Sequence, residues 1–446
     1  MKPKLKLLTR FVFLTWLIIF LVASGAAGFQ MTFTPGISVS EEYTDNLFLS
    51  ESNEEHDFIT IISPGFTFEA IERNSGLSLS YNPAYSIYSR FSEYNTWRHS
   101  ADLSLWTDIA RSTRLEITDS FTRTEDPLDE DDLFESTGEI LPGVDDSSRE
   151  SRDVYYRNSA GINITHQFGA SDSISFGYTY SILENDDPEV EDNESHNPSL
   201  DLTYWIIPNK WGIETNFGYT RGEYDASGEI EPSDDFDDWR ASIRLIRRFT
   251  QHFESFVEYA HTVMDYKGEE EDYNVYDSSA GMNYIFAEDA QLSLSVGYFI
   301  QDREVSASER RVSVNGDLGK TWSFRHASIN VTGASGYEES NLGADNLGFD
   351  VFYHAQCTAD YELSRRVQAD FSCSYRVDDY INDDDDRKDK TTRVSLGLNY
   401  QPLEWMNIGF DYSFNSVNSN LDEEEYDENR FLLRVTLSPS QPFHLN

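Results

Sequence analysis

The sequence predicts an all-β fold, a single antiparallel up-and-down transmembrane β-barrel of about 20 strands (18–20), with short periplasmic turns and long acidic extracellular loops. Three observations support this prediction. Apolar and polar residues alternate along most of the 446 residues, and the connections alternate between short and long. A net charge of −46 also coexists with 14% aromatic residues. Such a chain fits a structure whose apolar side chains are confined to one face of each strand.

The amino terminus has the pattern of a secretory signal peptide. Four basic residues precede an apolar run over residues 11–22, and small residues follow at 23–27. An apolar run of about a dozen residues is too short to cross a bilayer, where about 20 are needed. We therefore predict a signal peptide over 1–27 and one barrel domain over 28–446, because no linker or change of composition divides the remainder.

The strands are recognised by their period of two. Residues 394–414 read VSLGLNYQPLEWMNIGFDYSF, in which every even position from Val394 to Tyr400 and from Met406 to Phe414 is apolar. The same alternation occurs at 173–182 and 291–300. Side chains on a strand point alternately to its two faces, so these stretches form strands with one apolar and one polar face.

The connections are of two kinds that alternate along the chain. In an up-and-down meander, alternate connections lie at opposite ends of the sheet, as do the short turns and long loops of outer-membrane barrels. The short connections lie at 72–75, 110–112, 169–171, 208–210, 287–289, 364–366 and 402–404. The longer acidic ones lie at 50–57, 125–146, 184–196, 228–238, 267–272, 382–390 and 420–429.

Aromatic residues near strand ends distinguish this pattern from that of a soluble sheet. A secreted propeller or double sheet also alternates, but its core usually mixes aliphatic residues of many sizes. Rings grouped near strand ends instead indicate the aromatic girdle of a membrane interface. We expect this role for the tryptophans assigned to the short turns, which are Trp205, Trp211, Trp239, Trp322 and Trp405.

The polar face of the strands is predicted to line a hydrated lumen, since about twenty strands enclose a space wide enough for water. Its charged residues are read either as a lining that sorts solutes or as paired charges that keep the wall hydrated. Arg240 and Arg244, beside a strand with Glu254 and Glu258, favour paired ladders. The predicted pore-lining residues are Arg98, Arg114, Glu116, Arg157, Glu214, Arg240, Arg244, Glu254, Glu258, Asp317, Asp370, Arg376, Arg393 and Asp411.

The acidic loops admit two interpretations. Aspartate runs such as Asp129–Asp132 and Asp383–Asp386 offer the oxygen ligands that Ca²⁺ prefers. No calcium-binding spacing is present, however, so we interpret the loops as solvated and expect no other cofactor. The strong acidity also excludes a nucleic-acid partner, since phosphates would be repelled.

The two cysteines, Cys357 and Cys373, lie on adjacent predicted strands on either side of the turn at 364–366. They are predicted to lie almost opposite each other, and both occupy apolar positions of the alternating pattern. An oxidising periplasm permits a disulfide between them. The alternative is that both are small hydrophobic residues on the lipid-facing side.

No sequence motif points to catalysis. A nucleophile elbow, a zinc-binding helix and a phosphate-binding loop are all missing from the sequence. His354, with Asp350 and Asp360 nearby in sequence, is the one grouping that resembles a catalytic cluster, although a hydrated wall explains such neighbours equally well. We therefore expect no enzymatic activity.

Residues 35–68, PGISVSEEYTDNLFLSESNEEHDFITIISPGFTF, are the most specific stretch of the chain. This segment resembles outer-membrane β-barrel proteins of the porin-like "beta-barrel porin 2" type, in particular members found with exosortase (PEP-CTERM) and exopolysaccharide systems. The resemblance implies a barrel in the outer membrane of a Gram-negative bacterium, with a role in surface polysaccharide production or export. It supplies no catalytic residues. The carboxyl-terminal segment departs from many such barrels because it lacks a terminal aromatic residue.

Two functions follow as expectations. The first is an outer-membrane channel for export or passage of polysaccharide or small hydrophilic solutes. The second is a structural or surface-interaction barrel with acidic loops that bind a ligand or matrix and with no open pore. In either case the expected partners are the lipid bilayer, lipopolysaccharide and the barrel-assembly machinery, and polysaccharide export components are added if the chain is an exporter.

Overall fold

A computed structural model shows a closed antiparallel barrel of 20 strands with one short additional strand. It describes residues 29–126, 152–187, 190, 192–225, 235–268, 271–287, 290–320, 326–340, 348–381, 387–421 and 425–445, so the predicted signal peptide lies outside the described residues. The strands are β1 (Gln30–Thr44), β2 (Asp57–Glu72), β3 (Ser75–Tyr88), β4 (Thr96–Ala110), β5 (Thr113–Thr124), β6 (Tyr155–Gln167), β7 (Ser173–Asn185), β8 (Asp192–Ile207), β9 (Trp211–Asp225), β10 (Phe236–Arg248), β11 (Phe253–Tyr266), β12 (Tyr273–Ala287), β13 (Ala290–Arg303), β14 (Glu309–Lys320), β15 (Ala327–Ser340), β16 (Gly348–Ser364), β17 (Val367–Ile381), β18 (Lys388–Leu403), β19 (Met406–Ser419), β20 (Tyr426–Leu437) and β21 (Phe443–Leu445).

Each of the strands β1–β19 pairs with the next in sequence, and β20 closes the barrel by pairing with β1 from Ile37↔Leu437 to Thr44↔Arg430. The short strand β21 continues along β1, where Phe443 is opposite Phe33. The predicted up-and-down barrel and its strand number are thus confirmed. Residues 438–442 separate β20 from β21, and β21 contains the aromatic residue Phe443.

The two ends of the barrel differ, as predicted. At one end the strands are joined by short turns such as 73–74, 111–112 and 365–366; we call it the short-turn end. The opposite end, which we call the long-loop end, contains the connections 45–56 and 125–154. Several strands extend further into this end than predicted. Residues expected in acidic loops are strand from Asp192, Phe236, Lys388 and Tyr426 onward.

The outward face of the wall is apolar and the inward face is polar. Outward side chains are about half exposed although they are hydrophobic, which is expected where the surrounding medium is lipid and not water. A barrel also satisfies every backbone hydrogen bond of a paired strand, as a membrane requires. Examples of exposed apolar residues are Val39, Phe176, Val257, Val296, Phe410 and Leu433.

The tryptophans depart in part from the predicted girdle. Trp211 and Trp405 lie at the short-turn end as expected. For Trp239 only the predicted place beside a short turn is wrong, because this exposed residue lies near the long-loop end of β10, where a second girdle is expected. For Trp205 the girdle role itself is wrong, because this residue is 8% exposed and packs under the guanidinium of Arg248 at 4.5 Å. Trp322 lies outside the described residues.

Helix is nearly missing from the described part of the chain. A single 3-10 turn, Ser92–Tyr94, interrupts the strands. Among the residues described, no helix has both the length and the apolar character needed to cross a membrane.

Candidate functional site

A cavity of about 1070 Å³ lies inside the barrel, bounded by β1–β5 and by β16–β20. Hydroxyl and amide side chains dominate its wall, because the inward positions of these strands are rich in serine, threonine and asparagine. Such groups donate and accept hydrogen bonds without carrying charge. The cavity can therefore hold water or a hydroxylated solute. Representative wall residues are Ser38, Ser63, Asn82, Ser100, Ser374 and Asn399.

The register of the strands places every predicted pore-lining residue at an inward position. Of these, Arg98, Asp370, Arg393 and Asp411 line the cavity itself. The side chain of Asp317 lies outside the described part, although its backbone position in β14 is opposite Thr332. Selection of solutes by this lining stays a prediction. The remaining inward positions belong to Arg114, Glu116, Arg157, Glu214, Arg240, Arg244, Glu254, Glu258 and Arg376.

The charge ladder expected between β10 and β11 is present. Arg244 lies opposite Glu258 with 2.7 Å between their nitrogen and oxygen atoms, and Arg248 pairs with Glu254 at 3.1 Å. Arg240 departs from the expected pattern because its partner, at 2.6 Å, is Asp238 on its own strand. The geometry favours the interpretation of this wall as paired charges.

His354 does not form a catalytic cluster with the two aspartates considered with it. Asp350 and Asp360 lie four and six residues away on the same strand, roughly 13 and 20 Å at about 3.3 Å per residue. Asp350 instead pairs with Arg376 at 3.6 Å, and Asp360 accepts a hydrogen bond from Ser328 at 2.8 Å. Among the residues that the structure describes, neither aspartate is hydrogen-bonded to this histidine.

Three aspartates follow one row of the inner wall. Asp360 is opposite Asp370, Asp370 is opposite Gly397, and Gly397 is opposite Asp411. The carboxylate of Asp370 occupies the space that a Cβ on residue 397 would need. Glycine at this position therefore lets an acidic side chain lie flat against the cavity wall.

At the long-loop end of the cavity, buried charges from distant parts of the chain meet. Arg98 donates to Glu125 at 2.7 Å, and Arg430 holds Asp126 with two bonds of 3.1 and 3.3 Å. Arg152 approaches Asp126 at 3.8 Å and its side chain is fully buried. Arginine and carboxylate pair strongly in this forked geometry. We call this group the ionic cluster; its members are Glu42, Arg98, Glu125, Asp126, Arg152, Glu428 and Arg430.

Asp126 is the member of the ionic cluster that has three arginines around it. Burial acts to raise the pKa of this carboxyl, but the guanidinium groups of Arg430, Arg152 and Arg98 outweigh it. They hold the pKa of Asp126 well below its ordinary value, so it is an anion at neutral pH. The cluster is thus built on a charged carboxylate.

A second feature of this end is a segment that folds into the barrel, residues Asp45–Ser50. Its Leu47 is fully buried against Ile59 and Tyr88. Its Leu49 is also buried, but it packs against β19 and β20. The Asn46 amide donates to the carbonyl oxygens of Ser50 and of Asp427, both at 2.9 Å. The segment therefore fills part of the long-loop end.

The inward segment is joined to the ionic cluster. Arg152 donates from Nε to the carbonyl oxygen of Leu47 at 2.7 Å, while Thr44 donates to Glu428 at 2.7 Å. Sequence analysis did not predict either feature. The available signal was the quoted run EYTDNLFLS, in which two leucines occur among polar loop residues.

Replacing Leu47 by Ala is expected to destabilise the folded barrel by about 2–5 kcal/mol, because a fully buried leucine loses its contacts and leaves a cavity. The free energy of unfolding would be measured in urea with the protein in lipid vesicles. Val305→Ala is the control, since Val305 is 89% exposed. Equal stability of the two variants would show that the segment is not packed as described.

The opposite side of the long-loop end is filled by an apolar cluster. The β15–β16 hairpin pairs with β14 only as far as Val314↔Ser335, and its distal part packs on the inner wall of β12 and β13. Phe349 lies 5.6 Å from Tyr273 and 6.2 Å from Phe299 between ring centroids. These rings are almost fully buried, so this hairpin also narrows the lumen.

Cys357 and Cys373 are directly opposite each other on β16 and β17, as their spacing predicts. Both thiols are free in the structure, so the disulfide stays a prediction. The aspartate runs considered for Ca²⁺, Asp129–Asp132 and Asp383–Asp386, lie outside the described residues.

Comparison with known families and structures gives matches along most of the barrel. Residues 24–141 and 330–438 match the family described as "Putative beta-barrel porin 2". Residues 146–310 match the family described as "Putative MetA-pathway of phenol degradation". No curated protein matches the chain.

Among solved structures, the siderophore receptor PirA from Pseudomonas aeruginosa is similar, with a TM-score of 0.52 and 9% identity over 92% of this chain and 80% of that one. The ferric-catecholate import receptor Fiu from E. coli gives a TM-score of 0.51 and 10% identity over 91% of this chain and 81% of that one. These likenesses show the fold alone.

Proposed function

Because this chain belongs to the beta-barrel porin 2 family, we propose that it is an outer-membrane channel through which hydrophilic solutes pass, including polysaccharide chains during export. Both directions of transport need the same physical feature, a continuous hydrated path shielded from lipid. The family assignment supports the porin-like barrel, and the proposal adds passage of a solute through it.

The observation that carries this proposal is the polar cavity of about 1070 Å³ within the barrel. Its wall offers hydroxyl and amide groups, which replace the water around a sugar hydroxyl with hydrogen bonds of similar kind. The aspartates and arginines in the same wall, such as Asp411 and Arg434, provide charges of both signs. This combination suits solutes that carry many hydroxyl groups.

Purified and refolded protein in a planar lipid bilayer is expected to show discrete and steady current steps, because the proposed channel requires a continuous hydrated path through the lumen. Adding a maltodextrin to one side should lower the current in steps if saccharide chains enter. A heat-denatured sample is the control. Silence from protein whose folding is verified by circular dichroism would contradict the channel.

One observation favours a second function, a structural or surface-interaction barrel without an open pore. The inward segment Asp45–Ser50 and the apolar cluster around Phe349 both fill the long-loop end. A barrel filled in this way presents its loops without conducting. Absence of current together with a stable folded barrel would support this alternative.

A further inference from the structure

The ionic cluster lies at the boundary of the cavity, so its charges are reachable from inside the barrel. Arg98, Asp126 and Arg430 are all part of the cavity wall. The side chains of Arg98 and Arg430 are 17% and 15% exposed, whereas Arg152 behind them is fully buried. A solute in the cavity can therefore approach the same guanidinium groups that hold Asp126.

The arrangement around Asp126 is that of a carboxylate-binding site. Arg430 contributes a fork of two nitrogens, at 3.1 and 3.3 Å from the two carboxylate oxygens. Arg98 and Arg152 each add a nitrogen at 3.8 Å. Three guanidinium groups converging on one carboxylate give both the charge and the planar geometry that carboxylate recognition uses.

Two other carboxylates of the ionic cluster have separate supporting contacts. Glu125 accepts from the Tyr88 hydroxyl at 2.8 Å, and Glu428 accepts from the Thr44 hydroxyl at 2.7 Å. The cluster also contains four carboxylates against three guanidinium groups. Asp126 is the carboxylate on which the Arg430 fork and the nearby nitrogens of Arg98 and Arg152 converge, so its place is the one that a solute carboxylate can take.

A further arginine, Arg434, lies on the cavity wall between the short-turn end and the site. Arg434 lies four residues from Arg430 on the same face of β20, is exposed to the cavity, and has no ion-pair partner among the described residues. At about 3.3 Å per residue the two guanidinium-bearing positions are roughly 13 Å apart along the wall. An anionic solute entering from the short-turn end meets Arg434 first and Arg430 next.

We propose that Arg98, Arg152 and Arg430 form a receptor site for a carboxylate-bearing solute such as an acidic sugar, and that Asp126 occupies this site as an internal competitor. The proposal rests on the proposed function and refines it, since it names acidic saccharides as a solute class. While Asp126 occupies the site, its contacts with Arg98 and Arg430 connect the residues that follow β5 to β4 and β20. A solute carboxylate that replaces Asp126 releases this connection at the long-loop end.

The deciding experiment is equilibrium binding of sodium glucuronate to the detergent-solubilised protein, followed by calorimetry. Asp126→Asn is expected to bind glucuronate at least tenfold more tightly than the unmodified protein, because the internal competitor is removed while the guanidinium groups remain. Glucose, which lacks the carboxylate, should bind equally weakly to both. Asp201→Asn is the matched control, since Asp201 lies on β8 and bonds to Asn216.

Equal glucuronate affinity of the unmodified protein and Asp126→Asn would overturn the proposal, as would equal binding of glucose and glucuronate by Asp126→Asn. Combining Asp126→Asn with Arg430→Gln should abolish the gain. Circular dichroism verifies folding of each variant. Because binding is measured without any current, failure of the channel function leaves this result readable, and the two proposals are tested separately.

Discussion

Replacing Phe410 with Lys is expected to prevent assembly of the barrel or to destabilise it by about 2–4 kcal/mol, the range for a lysine placed on the lipid face near the bilayer midplane. Phe410 is on the outward face of β19 and 44% of its side chain is exposed. Its ring therefore meets lipid, where an ammonium group cannot be hydrated. Assembly would be measured as the fraction of folded barrel that migrates faster than denatured protein in unheated gels.

The neighbouring residue provides the matched control. Asp411 lies on the inward face of the same strand and borders the cavity. A lysine at 411 remains hydrated and lies near the carboxylate of Asp370, which lies against the intervening Gly397. Asp411→Lys should thus assemble normally. If both variants assembled equally well, the outward face of β19 would not be in contact with lipid.

Replacing Arg430 with Gln is expected to lower the free energy of unfolding by about 3–5 kcal/mol, because removing one partner leaves buried carboxylates without compensation. Arg430 is within ion-pair distance of Glu42, Asp126 and Glu428. Their side chains are 6%, 9% and 0% exposed, so water replaces little of the lost interaction. Urea unfolding in lipid vesicles, monitored by tryptophan fluorescence, would measure the change.

Arg434→Gln is the control for this prediction. It removes the same kind of side chain from the same face of β20, but at an exposed position without an ion-pair partner in the described part of the chain. Its effect on stability should stay within about 0.5 kcal/mol, as for ordinary surface substitutions. A similar loss in both variants would mean that the ionic cluster contributes nothing particular to stability.

The strands and their facing could be predicted because two solvents act on every strand in the same way. Lipid on one side and water on the other impose a period of two, which residues 394–414 show over both arms of a hairpin. The inward placement of Arg244 beside Glu258 follows from the same parity. The local sequence pattern was sufficient to predict strands and their facing wherever a strand has lipid on one face and water on the other.

The filling of the long-loop end could not be predicted in this way. Leu47 packs against Tyr88, and Asn46 bonds to Asp427, 381 residues away in the sequence. These contacts depend on barrel closure and have no local period. Trp205 shows a related error, since an aromatic residue near a turn is read as an interface anchor unless its inward parity and its cationic neighbour are known.

The early separation of β14 from β15 has a consequence for association between molecules. Beyond Val314, where the Ser335 hydroxyl accepts from the Val314 amide at 2.8 Å, residues Glu309–Ser313 have no paired neighbour on the β15 side among the residues described. An unpaired strand edge is a template on which another chain can add a strand. Three consecutive charged residues, Glu309, Arg310 and Arg311, occupy this edge and oppose such an addition. The opening that lets the hairpin enter the lumen is therefore protected against lateral aggregation by charge.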